Sequence, residues 1–573
     1  MDKSTIVECL LEHAQNQPDN VSQIFLPNGE EEGERLTFGE LDLKVRALAA
    51  DLQRRYSKGD RAVLIYTPGL EFVVGYMACL YSGILPVPVF PPHKTRLQQQ
   101  LPVVLNIIRD SSPKFILTES EYRLSTSEKY DEIPELKGTT WECSDFVSPY
   151  SADSWKFPEI DGNTPAFIQY TSGSTGNPHG VVVTHDNLIH NLSCIQQYFK
   201  ATTETRVVSW LPPYHDMGLI GCILQPIFVG FLAILMPSAS FLQRPYRWLK
   251  TITDYHVTAG GGPNFGYELC LKRIAPEQRS ELDLSSWDMA FNGSEVVYLE
   301  TLRNFCEYFK SCGFRPQTFF PCYGLAESTL IVTGIGKPDL ASDYDLSENI
   351  TGYVNNKQIS SKQARVNCGY PILGTEVRIV DPETRKECSE KETGEIWVKG
   401  RSVAHSYFNK EEESIKTLKA TITVSGDGPF LRTGDLGFLL KGELYVTGRI
   451  KNLIICNGSN HYATDIENTV LQCHPALGDH SCAAFSIEVE HSEQLVIMAE
   501  LDARYLRNNP KTTREEVEQA ITNSISLYHQ IKVHNIVLLE NKRVPRTTSG
   551  KIKRDAAKEE YILYYANGMK VQS

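Results

Sequence analysis

Residues Tyr170–Val183 read YTSGSTGNPHGVVV. Six in succession, Thr171, Ser172, Gly173, Ser174, Thr175 and Gly176, are Gly, Ser or Thr. Behind them Val181–Thr184 is a β-branched run that reads as a buried strand. Small residues let backbone N–H groups approach an anion closely, and hydroxyls add further donors. A triphosphate asks for that combination. The stretch is not a Walker A loop, because no Gly-Lys-Ser/Thr ending follows at the right spacing, and it is not a GxGxxG dinucleotide turn. A phosphate loop of this other kind points to ATP used differently, for example by attack at its α-phosphate. A plain surface turn has the same composition, so the reading depends on the rest of the chain.

With 573 residues the chain is too long for one hydrophobic core, and two to four domains are expected. A hydrophobic share of 41% with 22% charged residues is that of a globular protein. The net charge of −13 argues against a general nucleic-acid binder, though local basic residues can still serve a small anion. Fourteen cysteines are scattered without CxxC pairs or a zinc framework, and the N-terminus MDKSTIVECLLEHAQ is an amphipathic helix pattern with no secretory h-region. Free thiols in a reducing cytoplasm are expected. Two charge-free stretches resemble membrane spans. Val73–Pro92 is broken by Pro86, Pro88, Pro91 and Pro92, and Leu219–Met236 contains Gln225, Pro226 and Gly230. A span needs ~20 continuous apolar residues in a helix. Each stretch fits a buried helix and a buried strand better, so no transmembrane segment is expected.

Through the first 440 or so residues, strand-like runs such as Arg61–Tyr66, Leu85–Phe90, Lys114–Thr118 and Arg206–Leu211 alternate with helical patterns such as Glu71–Ser82 and Asp186–Phe199, the latter read as leaving the phosphate loop. That rhythm predicts an α/β fold with a parallel sheet. From Cys368 closely spaced strands, Glu376–Val380, Glu395–Lys399 and Glu443–Val446, predict a β-rich subdomain. After Gly448-Arg449 the pattern changes to a compact α+β domain, with a candidate hinge at Thr447–Asn452. The expected division is 1–448 for the large domain and 449–573 for a small, mobile one.

Five further segments bear chemistry, each with an ordinary structural reading beside it. Trp210–Leu219, WLPPYHDMGL, puts Tyr214, His215 and Asp216 at a strand end, where such groups face a ligand crevice or simply close a loop. Asn292, Gly293, Ser294 and Glu295 follow a strand and offer small polar groups to a base edge, or form a plain turn. Tyr323, Gly324, Leu325, Ala326 and Glu327 set a carboxylate that suits Mg²⁺, or a helix entry. Arg432–Gly437, RTGDLG, presents Asp435 in a turn fit for ribose hydroxyls. Arg543–Arg554, RVPRTTSGKIKR, is basic and acid-free, with Pro545 and Gly550 shaping a turn that displays Lys551, or a solvated basic tip.

Together and in this order, YTSGSTG, YGLAES, RTGDLG, GRIKN and PRTTSGK resemble the adenylate-forming superfamily of acyl-CoA synthetases, luciferases and peptide-synthetase adenylation domains. The resemblance covers about residues 5 to 565. It implies that Thr171–Gly176 bind the β- and γ-phosphates of ATP and that Asn292–Glu295 with Tyr323–Ala326 pack around adenine. It further implies Glu327 on Mg²⁺, Asp435 on ribose with Arg449 beside it, Lys451 as hinge, and Glu327, His215 and Lys551 as catalytic, Lys551 at the α-phosphate and substrate carboxylate. One departure is His179, where the family usually has Lys.

Within the superfamily the chain is most similar to fatty acyl-AMP ligases. The stretch from Tyr323 to Cys368-Gly369-Tyr370-Pro371 is longer than usual in the synthetases, with an insertion inside Gly336–Val366 and strand-like patches such as Ile350–Val354. Such an insertion between the domains can restrict the rotation that a CoA thiol needs. Leu85–Pro92, WLPPYHDMGLIG and Gly458–Tyr462 also resemble the ligase versions. The implied chemistry is ATP-dependent activation of a fatty acid to acyl-adenylate with pyrophosphate release. The acyl group then passes to phosphopantetheine on an acyl carrier protein, or a carrier domain of a polyketide or peptide synthase, in trans. The alternatives are a fatty acyl-CoA synthetase, a degenerate nucleotide-binding scaffold, and an amino-acid adenylation domain. The last would offer an Asp to an α-amine, and Thr258–Tyr267, TAGGGPNFGY, offers none.

Overall fold

A computed structural model describes residues 3–92, 97–171, 178–335, 353–354, 357–358, 366–456, 459–477, 481–489, 492–540, 544–547 and 550–565. The contact pattern divides the chain into two compact units, one of Met1–Thr433 with Gly437–Val446, the other of Gly434–Leu436 with Thr447–Ser573.

The first unit is α/β. Its largest sheet runs, in spatial order, Tyr370–Pro371, Ile331–Gly334, Phe319–Gly324, Met289–Asn292, Ala259–Gly262, Arg206–Ser209, Leu232–Leu235, Val21–Phe25 and Glu34–Thr37. The six strands from Phe319–Gly324 to Val21–Phe25 are mutually parallel. The strands at the two edges are antiparallel. A second, all-parallel sheet orders Leu85–Val89, Arg61–Ile65, Phe115–Thr118 and Thr140–Cys143. Parallel strands are covered on both faces, which is why they are continuous apolar runs; Phe115–Thr118 and Leu85–Val89 are buried throughout.

Both charge-free stretches resolve as a helix followed by a strand. The helix Leu70–Ser82 is buried on nearly every side, stops at left-handed Gly83, and is followed by Leu85–Val89. The second forms a π-helical segment, Met217–Leu224, then the helix Gln225–Val229, left-handed Gly230 and the strand Leu232–Leu235. Among the described residues no helix is long and apolar enough to cross a membrane.

The segment around the phosphate loop differs from expectation. Pro165–Thr171 and His179–Thr184 are antiparallel, with Thr171 opposite His179. The loop joins the two arms of a hairpin, and the helix His185–Phe199 begins only after the second arm, capped by Thr184. Ser406–Tyr407 extends this sheet against Val181 and Val182. A further sheet holds Thr375–Val380, Gly394–Gly400, Leu431–Leu440 and Glu443–Arg449, the expected β-rich region. Most of the segment expected as an insertion, Gly336–Val366, lies outside the described residues; within it Tyr353–Val354 and Lys357–Gln358 pair as a short antiparallel hairpin.

The second unit is α+β. Ser492–Leu501 lies between antiparallel Cys482–Val489 and parallel Val533–Glu540. The helices Ala463–Cys473 and Arg514–His529 and this sheet enclose a core that includes Ile466, Leu495, Ile497 and Ile521. The helix Arg554–Tyr564 covers a second cluster with Phe485, Val496 and Met498.

Candidate active site

Four adjacent parallel strands, Arg206–Ser209, Ala259–Gly262, Met289–Asn292 and Phe319–Gly324, end along one edge of the large sheet, in register Gly262 opposite Asn292 and Asn292 opposite Pro321. The segments that follow three of them are the ones marked in the sequence: Trp210–Asp216, Asn292–Glu295 and Tyr323–Glu327. The carboxyl edge of a parallel sheet is where α/β folds receive ligands.

Asn292 is fully buried at that edge. Its Nδ2 donates to Asn264 Oδ1 at 3.4 Å. Its Oδ1 accepts no hydrogen bond among the described residues. An unsatisfied buried acceptor costs about 1–3 kcal/mol, so this oxygen is poised for an external donor. Asn264, not marked by the sequence, also accepts from Tyr298 N at 3.2 Å and donates to Glu268 and Thr301. Glu295 is turned onto the neighbouring helix: its Oε1 accepts from Phe265 N at 2.7 Å, in the first turn of Asn264–Arg273. A carboxylate there meets otherwise unpaired N–H groups and the positive end of the helix dipole. Ser294 between them has φ +69°, a left-handed conformation costly for a non-glycine residue. A Cβ on Gly293 would stand 2.8 Å from Cys322 O, so the turn lies directly on the next strand.

Tyr323, Leu325 and Ala326 are buried, and a Cβ on Gly324 would meet Leu330 O at 1.9 Å. Glu327 follows in a short 3₁₀ turn, Ala326–Ser328, half-buried. Tyr407 Oη donates to Glu327 Oε1 at 3.1 Å, and Ala404 N donates to Glu327 O at 2.9 Å. Burial, then the Glu327 charge and this hydrogen bond, push the Tyr407 phenol far above its ordinary range, so it remains a neutral donor. The Tyr407 ring lies 5.2 Å from the His179 ring, and Phe408 N donates to Gly180 O at 2.7 Å. Glu327 is thereby tied to the hairpin arm that leaves the phosphate loop. Thr171 closes the other arm; Ser172, Gly173, Ser174, Thr175 and Gly176 lie outside the described residues. Tyr407 stands 80 positions from Glu327 in a segment, HSYFNK, with no pattern that would have marked it.

His215 sits in the loop after Arg206–Ser209, its side chain 37% exposed, with Nδ1 3.8 Å from Asp216 Oδ1. The loop is fixed by backbone: His215 N donates to Pro212 O, and Gln169 Nε2 donates to Tyr214 O. Burial pushes the Tyr214 phenol up to about 12.

In the second unit Arg449 Nε lies 2.7 Å from Asp435 Oδ1, with Asp435 buried and Arg449 half-exposed. Lys451, in the turn Ile450–Asn452, has its Nζ 3.9 Å from Asp555 Oδ2. Lys551 stands at the base of a turn: Thr547 N donates to Lys551 O at 2.7 Å and Lys551 N to Thr547 Oγ1 at 3.0 Å. Gly550 has φ +88°, and Arg546 and Ile552 bridge below it.

Residues 10–408 match the AMP-binding enzyme family, and residues 451–569 match a family described as Disco-interacting protein 2-like, AMP domain. The chain is 40% identical over 569 residues to the medium-chain-fatty-acid–acyl-carrier-protein ligase JamA of Moorena producens, covering 98% of this chain and 95% of that one. It is 34% identical to the corresponding ligase TtuA of Teredinibacter turnerae, covering 97% and 93%. Its structure is similar to that of a fatty acid AMP ligase from Legionella pneumophila, with a TM-score of 0.74, 40% identity, and 98% and 96% of the two chains covered. The chain belongs to the AMP-binding enzymes and, among them, to the fatty acyl-AMP ligases.

Proposed function

We propose that this chain activates a fatty acid with ATP to an acyl-adenylate and passes the acyl group to the phosphopantetheine thiol of a carrier protein in trans. The observation that carries the reading is the joining of Glu327, through Tyr407, to the arm of the phosphate-loop hairpin. It supports the reading by tying the Glu327 carboxylate to the strand His179–Thr184, which follows the expected phosphate loop in the chain. The relatives' names, medium-chain-fatty-acid–acyl-carrier-protein ligases, support the acceptor and the substrate class.

In this reading adenine stacks at the carboxyl edge of the sheet, and its exocyclic amine donates to the unpaired Asn292 Oδ1. Asp435 takes the ribose hydroxyls, with Arg449 holding its carboxylate. Ser172–Gly176 with Thr171 receive the β- and γ-phosphates. Glu327 fits Mg²⁺: it is a hard oxygen donor, half-buried, steadied by a neutral phenol, and Mg²⁺ takes one or two carboxylates together with phosphate oxygens. Bound there, the ion supplies neutralisation of polyphosphate charge.

The fatty-acid carboxylate oxygen forms a bond to the α-phosphorus as the bond to the bridging oxygen of pyrophosphate breaks. Catalysis is positioning and charge stabilisation, with Lys551 facing the charge that builds on the α-phosphate. The mixed anhydride then yields its acyl carbon to a thiolate, and AMP leaves. His215, in the loop after Arg206–Ser209, orients the substrate carboxylate. Lys451 is the hinge on which the two half-reactions alternate.

The test is a fatty-acid panel with ATP and Mg²⁺, with and without a phosphopantetheinylated carrier protein, read by mass spectrometry. Acyl-AMP, pyrophosphate and an acylated carrier are expected. ATP turnover with no acyl-AMP, or a carrier left unacylated, overturns the proposal.

A further inference from the structure

Two buried carboxylates grip the two ends of the loop that carries Lys551. Glu500, 2% exposed on Ser492–Leu501, accepts from Val544 N at 2.9 Å and from Ser481 N at 3.4 Å. Val544 enters the loop and is itself buried among Ala483, Phe485 and Met498. At the exit, Arg554 opens the helix Arg554–Tyr564. Its Nε donates to Glu467 Oε1 at 2.7 Å and its Nη2 to Glu467 Oε2 at 2.6 Å, a two-pronged pairing. Glu467, 6% exposed on Ala463–Cys473, also accepts from Ala484 N at 2.9 Å, which ties the pair to the central sheet.

Between the clamps the loop is a miniature ladder. Lys553 N donates to Pro545 O at 2.8 Å, Arg546 bridges Ile552, and Thr547 pairs with Lys551. These contacts connect the backbone around Lys551 to the segments held by the two clamps.

We propose that Glu467 and Glu500 are positioning residues for Lys551, setting where its ammonium meets the reacting phosphate. The proposal rests on the catalytic reading of Lys551 given above. Stability alone is a poor reason for the Glu467–Arg554 pair, since buried ion pairs are often replaced by apolar groups without loss of stability. Burial raises the Glu467 carboxyl's pKa and the Arg554 guanidinium works against it. What the pair supplies is a fixed, planar, two-bond geometry three residues from Lys551. Misplacing a reacting group by ~1 Å costs on the order of 100-fold in rate.

The experiment uses the full chain and measures kcat for acyl-AMP formation and KM for ATP in Glu467→Gln, Arg554→Lys, Glu500→Gln, Lys551→Ala and Glu467→Gln/Lys551→Ala. Each is assayed below its own melting transition. Glu467→Gln is expected to lower kcat by ~10–100-fold with KM for ATP within about twofold, and Arg554→Lys to do the same more weakly. Arg554→Lys keeps the charge and loses the fork, so it serves if Glu467→Gln does not fold. Glu500→Gln, which keeps an acceptor for Val544 N, is expected to lower kcat less than Glu467→Gln. Residues that act through one group are non-additive, so the double variant should be no slower than Lys551→Ala alone. The proposal is overturned if Lys551→Ala is slow while both Glu467→Gln and Arg554→Lys turn over normally, or if the losses multiply in the double variant. If Lys551→Ala itself is fully active, the catalytic reading of Lys551 fails first and the clamp fails with it.

Discussion

Replacing Tyr407 with Phe removes one oxygen atom from the ring that steadies Glu327. The ring is 4% exposed, so its packing against His179 survives and the loss is confined to the 3.1 Å hydrogen bond. A hydrogen bond to a charged group contributes ~1.5–3 kcal/mol, and a bond at 3.1 Å belongs at the lower end. The expectation is therefore a loss of about 10-fold in kcat/KM for Mg·ATP. If Glu327 holds the cation, the loss has a signature: the Mg²⁺ concentration for half-maximal rate rises, and excess Mg²⁺ restores part of the activity. The assay is pyrophosphate release at fixed ATP and fatty acid across a Mg²⁺ titration, with melting curves beside it. A variant that melts normally and keeps the wild-type Mg²⁺ dependence and rate would falsify the link between Tyr407, Glu327 and the metal.

Two further outcomes are expected. Asp435→Ala should raise KM for ATP more than it lowers kcat at saturating ATP, because a ribose contact exists in both ground and transition states; an unchanged KM contradicts that assignment. His185, 2% exposed at the start of His185–Phe199, is pushed by burial from 6.5 down to about 4. The unfolded chain takes up that proton from about 6.5 downward and the folded chain only near 4, so stability falls as pH drops through this window, by about 3 kcal/mol in full. Urea midpoints measured from pH 7 to 5 should fall less steeply in His185→Gln than in the wild type, and equal slopes would remove His185 from the explanation.

The parallel sheets were legible because strands buried on both faces must be continuous apolar runs, and Leu85–Val89 and, after Arg61, residues 62–65 are such runs. The helices Leu70–Ser82 and Gln225–Val229 stop at Gly83 and Gly230 for a local reason, a left-handed turn. The sense of pairing around the phosphate loop was not legible. The β-branched run Val181–Thr184 reads the same whether it lies parallel or antiparallel to Pro165–Thr171, and the outcome is set by a hairpin. The π-helical Met217–Leu224 shares its apolar composition with an ordinary buried helix. At the site, motifs that follow strand ends, Asn292–Glu295 and Tyr323–Glu327, could be read locally. Their partners could not: Asn264 and Tyr407 come from segments 28 and 80 residues away and carry no pattern of their own. Glu467 and Glu500 look like ordinary polar positions on a helix and a strand until burial and the contacts to Val544 and Arg554 set them apart.

The most direct test of the account is the fate of the acyl group in the intact chain. The full-length protein is given a labelled medium-chain fatty acid, ATP and Mg²⁺, with equal concentrations of CoA and a phosphopantetheinylated carrier protein, and all products are followed by mass spectrometry. The account predicts acyl-AMP and pyrophosphate first, then the acyl thioester of the carrier, with little or no acyl-CoA. Efficient acyl-CoA formation, with the carrier left unacylated, would contradict it and make the chain a CoA synthetase.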